Sequence, residues 1–249
     1  MCTVTWRHAD DGFELHFNRD ELHARGRALP PRSERTEGVD WVGPRDSDFG
    51  GTWISVNMFG LCLGLLNGFR EPADSRRQDF RSRGLLVRDL APAASPADVD
   101  ARLAATDLDC YRTFRLLVLA PGAPARVGEW DGNRLTTIPD AEHLLPLISS
   151  SFAESRVGEQ RREEYARLTE GGARLTSETL AAYHRSHENG PSAYSVCMHR
   201  EDAGTQSYTR VCVTAREVEL RYHPAAPCQL AEDVVVRLPR ASAPERGSA

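Results

Sequence analysis

The chain has 249 residues, 40% hydrophobic and 27% charged, with 31 basic against 36 acidic side chains and a net charge of −5. That is a globular composition with enough apolar material for a sizeable core, and its acidic balance argues against a nucleic-acid-binding protein, since the Arg76, Arg77, Arg81 and Arg83 cluster is interleaved with acids. No stretch approaches the ~20 apolar residues of a membrane span, and the start lacks a signal-type apolar run, so a cytoplasmic location is expected.

In chain order, Cys2 to Trp6 alternates as a strand, and Phe13 to Phe17 alternates again after Asp10-Asp11-Gly12, which predicts a hairpin. His23 to Gly38 is polar and rich in Arg and Pro and reads as a long loop. Thr52 to Asn57 and Leu61 to Leu66, joined by Met58-Phe59-Gly60, predict a second hairpin. Ser95-Pro96 opens a helix to about Ala105, with Ser as N-cap and Pro at the first position. Arg115 to Ala120 is a buried strand, and Glu142 to Ile148 a short helix interrupted by Pro146. Ala153 to Thr169 reads as a surface helix, followed by another at Ser177 to Ser186. Strands return at Ala193 to Met198, Gln206 to Val213 and Glu217 to Tyr222, and Ala241 to Ala249 reads as a disordered tail. Strands at both ends with helices between predict one layered α+β domain over residues 1–240.

Cys2 follows the initiator Met. If Met1 is removed, the α-amine of Cys2, with an ordinary pKa near ~8, can act as base for its own thiol, near ~8.5. The polar run Asn18-Arg19-Asp20-Glu21 ends the second strand and would lie beside Cys2. A carboxylate there can hold the amine, a role given to Asp20; Arg19 would point to the other face as a salt-bridge partner or substrate clamp, and Asn18 can donate hydrogen bonds. Asn67 ends an apolar strand and is either an oxyanion donor or half of an Asn-Gly turn.

Met1-Cys2, the tetrapeptide at 18 to 21, Gly50-Gly51-Thr52-Trp53, the segment Asn67 to Pro72 and the block Ser82 to Asp89 together resemble the NRDE family, relatives of transport and Golgi organisation protein 2. Gly204 to Thr209 resembles that family's late Gly-Thr-Arg-Ser-type segment. The family is in turn similar to N-terminal-nucleophile hydrolases of the penicillin V acylase and bile salt hydrolase type, which begin at Cys and carry Asn-x-Asp on the second strand. The resemblance implies a four-layer αββα sandwich of two antiparallel sheets flanked by helices. It implies Cys2 as nucleophile, Asp20 as amine-orienting carboxylate and Asn67 as oxyanion donor, with Asn18, Arg19 and Arg70 as substrate-binding candidates. Departures are Phe17, where the acylases have Arg, and Leu147 to Ser151, whose hydroxyls stand where they have a second Asn. Their late Arg corresponds to Arg210 or Arg216.

Six cysteines lie far apart, and Cys62, Cys197 and Cys212 read as buried apolar thiols. Cys197-Met198-His199, with Cys212 and Cys228 downstream, has no CxxC or HxxxH spacing, so no metal is expected, nor any other cofactor. Two functions remain open: a Cys-dependent amidohydrolase or acyltransferase acting on an amide or thioester, or a non-catalytic carrier of an acyl or haem-like hydrophobic ligand. A protein-interaction module would leave Cys2 inert.

Overall fold

The computed structural model describes residues 2–69, 79–169, 175–188 and 190–243. The strands are β1 Cys2–Ala9, β2 Gly12–Leu22, β3 Leu29–Thr36, β4 Val39–Arg45, β5 Ile54–Asn57 and β6 Cys62–Asn67. Helices α1 Arg83–Leu90 and α2 Pro96–Ala104 precede β7 Phe114–Leu119, β8 Arg126–Trp130, β9 Leu135–Ile138 and β10 Leu147–Ser149. Helices α3 Glu154–Thr169 and α4 Ser177–Arg185 lead into β11 Ala203–Val213, β12 Glu217–His223 and β13 Val234–Pro239.

Two antiparallel sheets result, one six-stranded in the order β10-β1-β2-β11-β12-β13, the other seven-stranded in the order β3-β4-β5-β6-β7-β8-β9. Alternation explains how they stack. Val4, Trp6, Leu15 and Phe17 of the first sheet and Ile54, Val56, Leu117 and Leu119 of the second form one buried cluster between them. Each such side chain contributes roughly 1.5 to 3 kcal/mol by leaving water. The other face of the seven-stranded sheet buries Leu63, Leu65, Leu116 and Val118 under Leu86, Val87 and Leu90 of α1 and Val99 and Leu103 of α2. Helices α3 and α4 cover the other face of the six-stranded sheet. This is the αββα sandwich expected above. Among the described residues no helix is long and apolar enough to cross a membrane.

Four expectations need correction. The stretch 23–38 is not all loop, because Leu29–Thr36 is the edge strand β3. Its ladder breaks between Leu29 and Arg32, where Pro30 and Pro31 have no N–H to give, and proline is tolerated at an edge. Glu142 to Ile148 is a single 3₁₀ turn, Glu142–Leu144, then a cis Leu145–Pro146 bond and β10. Ala193 to Met198 forms no strand. Its backbone groups bind elsewhere, Cys197 N–H to the Ser186 carbonyl at 3.2 Å and the Val196 carbonyl to Asn18 Nδ2 at 3.0 Å. Cys212 is only partly buried, while Cys62 and Cys197 are fully so. Of the expected tail, residues 244–249 lie outside the described residues.

Candidate active site

Cys2 opens β1 between two neighbours, paired with Arg19 on β2 and Ser149 on β10. Directly opposed residues share a face. Arg19 and Ser149 therefore stand with the Cys2 side chain, and Asp20 lies on the opposite face, the reverse of the placement expected for Arg19. Arg19 is held rather than free. Its guanidinium lies 4.4 Å from the Trp53 ring centroid and reaches Asp46 at 3.3 Å and Glu21 at 3.4 Å. Asp46 also binds Arg25 at 3.0 Å and accepts the Asp48 and Phe49 N–H groups, which fixes the turn ahead of Gly50-Gly51.

Asp20 sits beneath the helices in a fully buried ion pair. Arg161 of α3 reaches it at 3.2 Å and also donates to Thr3 Oγ1 at 2.6 Å. Thr205 Oγ1 donates to the other carboxylate oxygen at 2.7 Å. The β2–β11 register shifts between Thr205 and Ser207, a bulge that aims Thr205 at Asp20. Burial pushes the Cys2 thiol up; Asp20 raises it further, and Arg19 lowers it.

Cys2 and Arg19 open onto a cleft of about 340 Å³ between the sheet ends, walled by Phe49, Trp53, Phe80, Arg83 and Arg112. Asn67 lines this cleft and a second one, which Ser149 and Arg115 also line. Asn67–Gly68 is no tight turn, because the Gly68 N–H donates to the Thr113 carbonyl at 2.9 Å and so continues the β6–β7 pairing. The Arg83 guanidinium donates to the Thr113 carbonyl at 2.7 Å, and burial with the neighbouring Arg112 lowers its pKa to about 10. At the cleft floor two backbones touch. A β-carbon on Gly51 would fall 2.4 Å from the Gly84 carbonyl carbon, and Thr52 N–H donates to the Gly84 oxygen at 3.0 Å.

The fold thus gathers Cys2, Arg19 and Asn67 at one cleft with Asp20 behind them. Asn18 does not join them. It is fully buried on the outer face, and its amide nitrogen donates to the His184 and Val196 carbonyls at 2.8 and 3.0 Å. Arg70 lies outside the described residues. Neither late arginine reaches the site: Arg210 pairs with Glu14 at 2.5 Å, and Arg216 belongs to the β11–β12 turn. Sequence reading missed Arg161, hidden in a helix whose composition is that of a surface element, and Thr205, whose only signal was the Gly204 to Thr209 block. It noted Ser149 only within a hydroxyl run. The Ser149 hydroxyl and the Trp53 indole nitrogen are both buried with no hydrogen-bond partner among the described residues.

This sandwich, opened by a strand bearing Cys2, has the architecture of N-terminal-nucleophile cysteine hydrolases. A C2A variant of conjugated bile acid hydrolase from Clostridium perfringens is similar over 95% of this chain and 92% of its own, at 12% identity and a TM-score of 0.57. A Caenorhabditis elegans N-acylethanolamine-hydrolyzing acid amidase orthologue is similar over 92% and 94%, at 10% identity and a TM-score of 0.57. No curated protein sequence matches the chain. The profile of the Transport and Golgi organisation 2 family matches residues 1–129. The chain belongs to the Transport and Golgi organisation 2 family.

Proposed function

We propose that the protein is an N-terminal-nucleophile amidohydrolase or acyltransferase that cleaves an amide or thioester through Cys2 once Met1 is removed. The observation that carries this reading is the β1–β2 register: Cys2 pairs with Arg19, so Asp20 stands level with the backbone nitrogen entering Cys2. An α-amine there would face a carboxylate held by Arg161 and Thr205. The amine takes the thiol proton as Sγ bonds to the substrate carbonyl carbon. Asn67 Nδ2 stabilises the resulting oxyanion, with Ser149, opposite Cys2 and lacking a partner among the described residues, as a second donor. Collapse breaks the bond to the leaving group, which carries away the ammonium's proton. Water then attacks the thioester with the amine again as base. The neighbours in fold are by name a hydrolase and an amidase, which accords with this chemistry.

Arg83 and Arg112 in the cleft wall favour a substrate with an anionic group and disfavour carriage of a wholly apolar ligand. The test is intact-protein mass before and after brief alkylation at neutral pH, followed by hydrolysis assays on anionic N-acyl amides and thioesters. Loss of Met1, one fast adduct mapped to Cys2, and turnover that vanishes in Cys2→Ala are expected. Retained Met1 with a slow Cys2 would sink the catalytic reading.

A further inference from the structure

A second cluster lies on the far side of Asp20 and has no part in the chemistry above. His187 follows α4, Cys197 and His199 precede β11, and Cys228 follows β12. Their ligand atoms all lie within 4.8 Å of one another. Cys197 Sγ is 3.5 Å from Cys228 Sγ, and His199 Nε2 is 3.6 Å from the first sulfur, 3.5 Å from the second and 2.9 Å from His187 Nε2. One imidazole nitrogen offers one proton or one lone pair, so it cannot serve three partners by hydrogen bonding. A central cation would serve all four atoms at once.

Geometry tests this idea. With Zn–S near ~2.3 Å and Zn–N near ~2.05 Å, a tetrahedron has edges of about 3.8 Å between sulfurs, about 3.5 Å between sulfur and nitrogen and about 3.3 Å between nitrogens. Four of the six separations fall within a few tenths of an ångström of those edges; the two from His187 to the sulfurs lie within 4.8 Å, so the His187 ring closes in by up to about 1.3 Å on binding. Two sulfurs and two imidazoles in a tetrahedral arrangement suit zinc.

We propose that His187, Cys197, His199 and Cys228 form a structural zinc site. On binding, each thiol gives its proton to solvent, and each neutral imidazole donates a lone pair, leaving a site of zero net charge. The sequence hides it because only Cys197 and His199 are close in the chain, and His187 and Cys228 arrive through the fold. The site clips together three segments and stands next to the catalytic support. Met198, between two of the ligands, exchanges hydrogen bonds with Thr205, at 2.9 Å from its carbonyl and 2.8 Å from its N–H, and Thr205 holds Asp20. This proposal stands whether or not Cys2 is catalytic.

The experiment uses the full chain without a polyhistidine tag. Metal content is measured as isolated, thiols are counted by alkylation under denaturing, non-reducing conditions, and the reduced, chelator-stripped protein is titrated with Co²⁺. One zinc per chain, and one equivalent of Co²⁺ giving the visible spectrum of tetrahedral thiolate ligation displaced by Zn²⁺, are expected. Cys228→Ser changes an exposed position and should leave the fold intact while weakening binding roughly a hundredfold or more, since even outer-shell changes cost 10- to 100-fold. A Cys197–Cys228 disulfide in the isolated protein overturns the proposal, as does the absence of stoichiometric metal. So does binding unchanged in Cys228→Ser.

Discussion

The two helical layers do different work. The α1–α2 layer meets its sheet mainly through Leu63, Leu65, Leu116 and Val118, with buried Asn57 donating to the Ala91 and Ala93 carbonyls just after α1. The α3–α4 layer covers Thr3, Thr5, Glu14, His16, Asn18 and Asp20, all 2% exposed or less. His184 of α4 meets Thr5 Oγ1 at 2.9 Å and stacks on His16, ring centroids 5.7 Å apart. Apolar contacts are tolerant of small shifts, whereas buried ion pairs and hydrogen bonds are costly to leave half made. One layer therefore supplies mainly apolar stability, and the other fixes where Asp20 points.

The sharpest way to break this contrast is Arg161→Ala, which strands the Asp20 charge in the interior. A loss of about 3 to 5 kcal/mol in urea unfolding is expected, and adding Asp20→Ala should recover part of it. If the single variant unfolds like the wild type, the polar layer does not depend on that pair. Leu63→Ala on the apolar side should cost roughly 2.5 to 4 kcal/mol through the cavity it leaves, yet leave the alkylation rate of Cys2 unchanged. A changed rate would mean the layers are coupled.

Acid should separate the layers as well. Burial holds His184 well below its ordinary pKa and lowers His16 too, so both fold neutral. Burial alone would raise Glu14, but hydrogen bonds from His16, Ser177 and Arg7 hold it well below the carboxylate range. All three folded values are depressed, so their contribution is complete above the unfolded values, near ~6.5 for His and ~4.3 for Glu. It is lost as pH falls from there toward the folded values. Stability should therefore begin to drop below about pH 6.5, by at most ~1.4 kcal/mol per pH unit for each proton taken up on unfolding. His184→Leu should flatten that slope in thermal melts taken at several pH values; an unaltered slope would exonerate His184. Smallest of all, Ser95→Ala removes the side chain that accepts the Asp98 N–H at 3.2 Å and should cost about 1 kcal/mol.

The apolar half of this contrast was the more legible in sequence. β5, β6, β7 and the Ser95 cap follow from alternation and one N-cap, because their rule is local. The polar half resisted. The Arg161–Asp20 pair spans 141 residues and the Thr205–Asp20 bond 185, and no local pattern encodes such partners. The alternation of β1 and β2 marks two faces but cannot say that both are buried. Cys2, Asp20 and Asn67 stood out through a constellation of short motifs, while Asn18, from the same tetrapeptide, points into the helical layer and ties down two carbonyls.

The touching backbones of Gly51 and Gly84 make the cleft floor a rigid spacer and leave its walls adjustable. Any larger residue at Gly51 would push the start of α1 outward and carry Arg83 with it. Anyone altering what the cleft admits should randomise Phe49, Phe80 and Arg112 and treat the glycine pair as the fixed jaw of a vice. The width of the opening is set by main chain, and only its lining is open to selection.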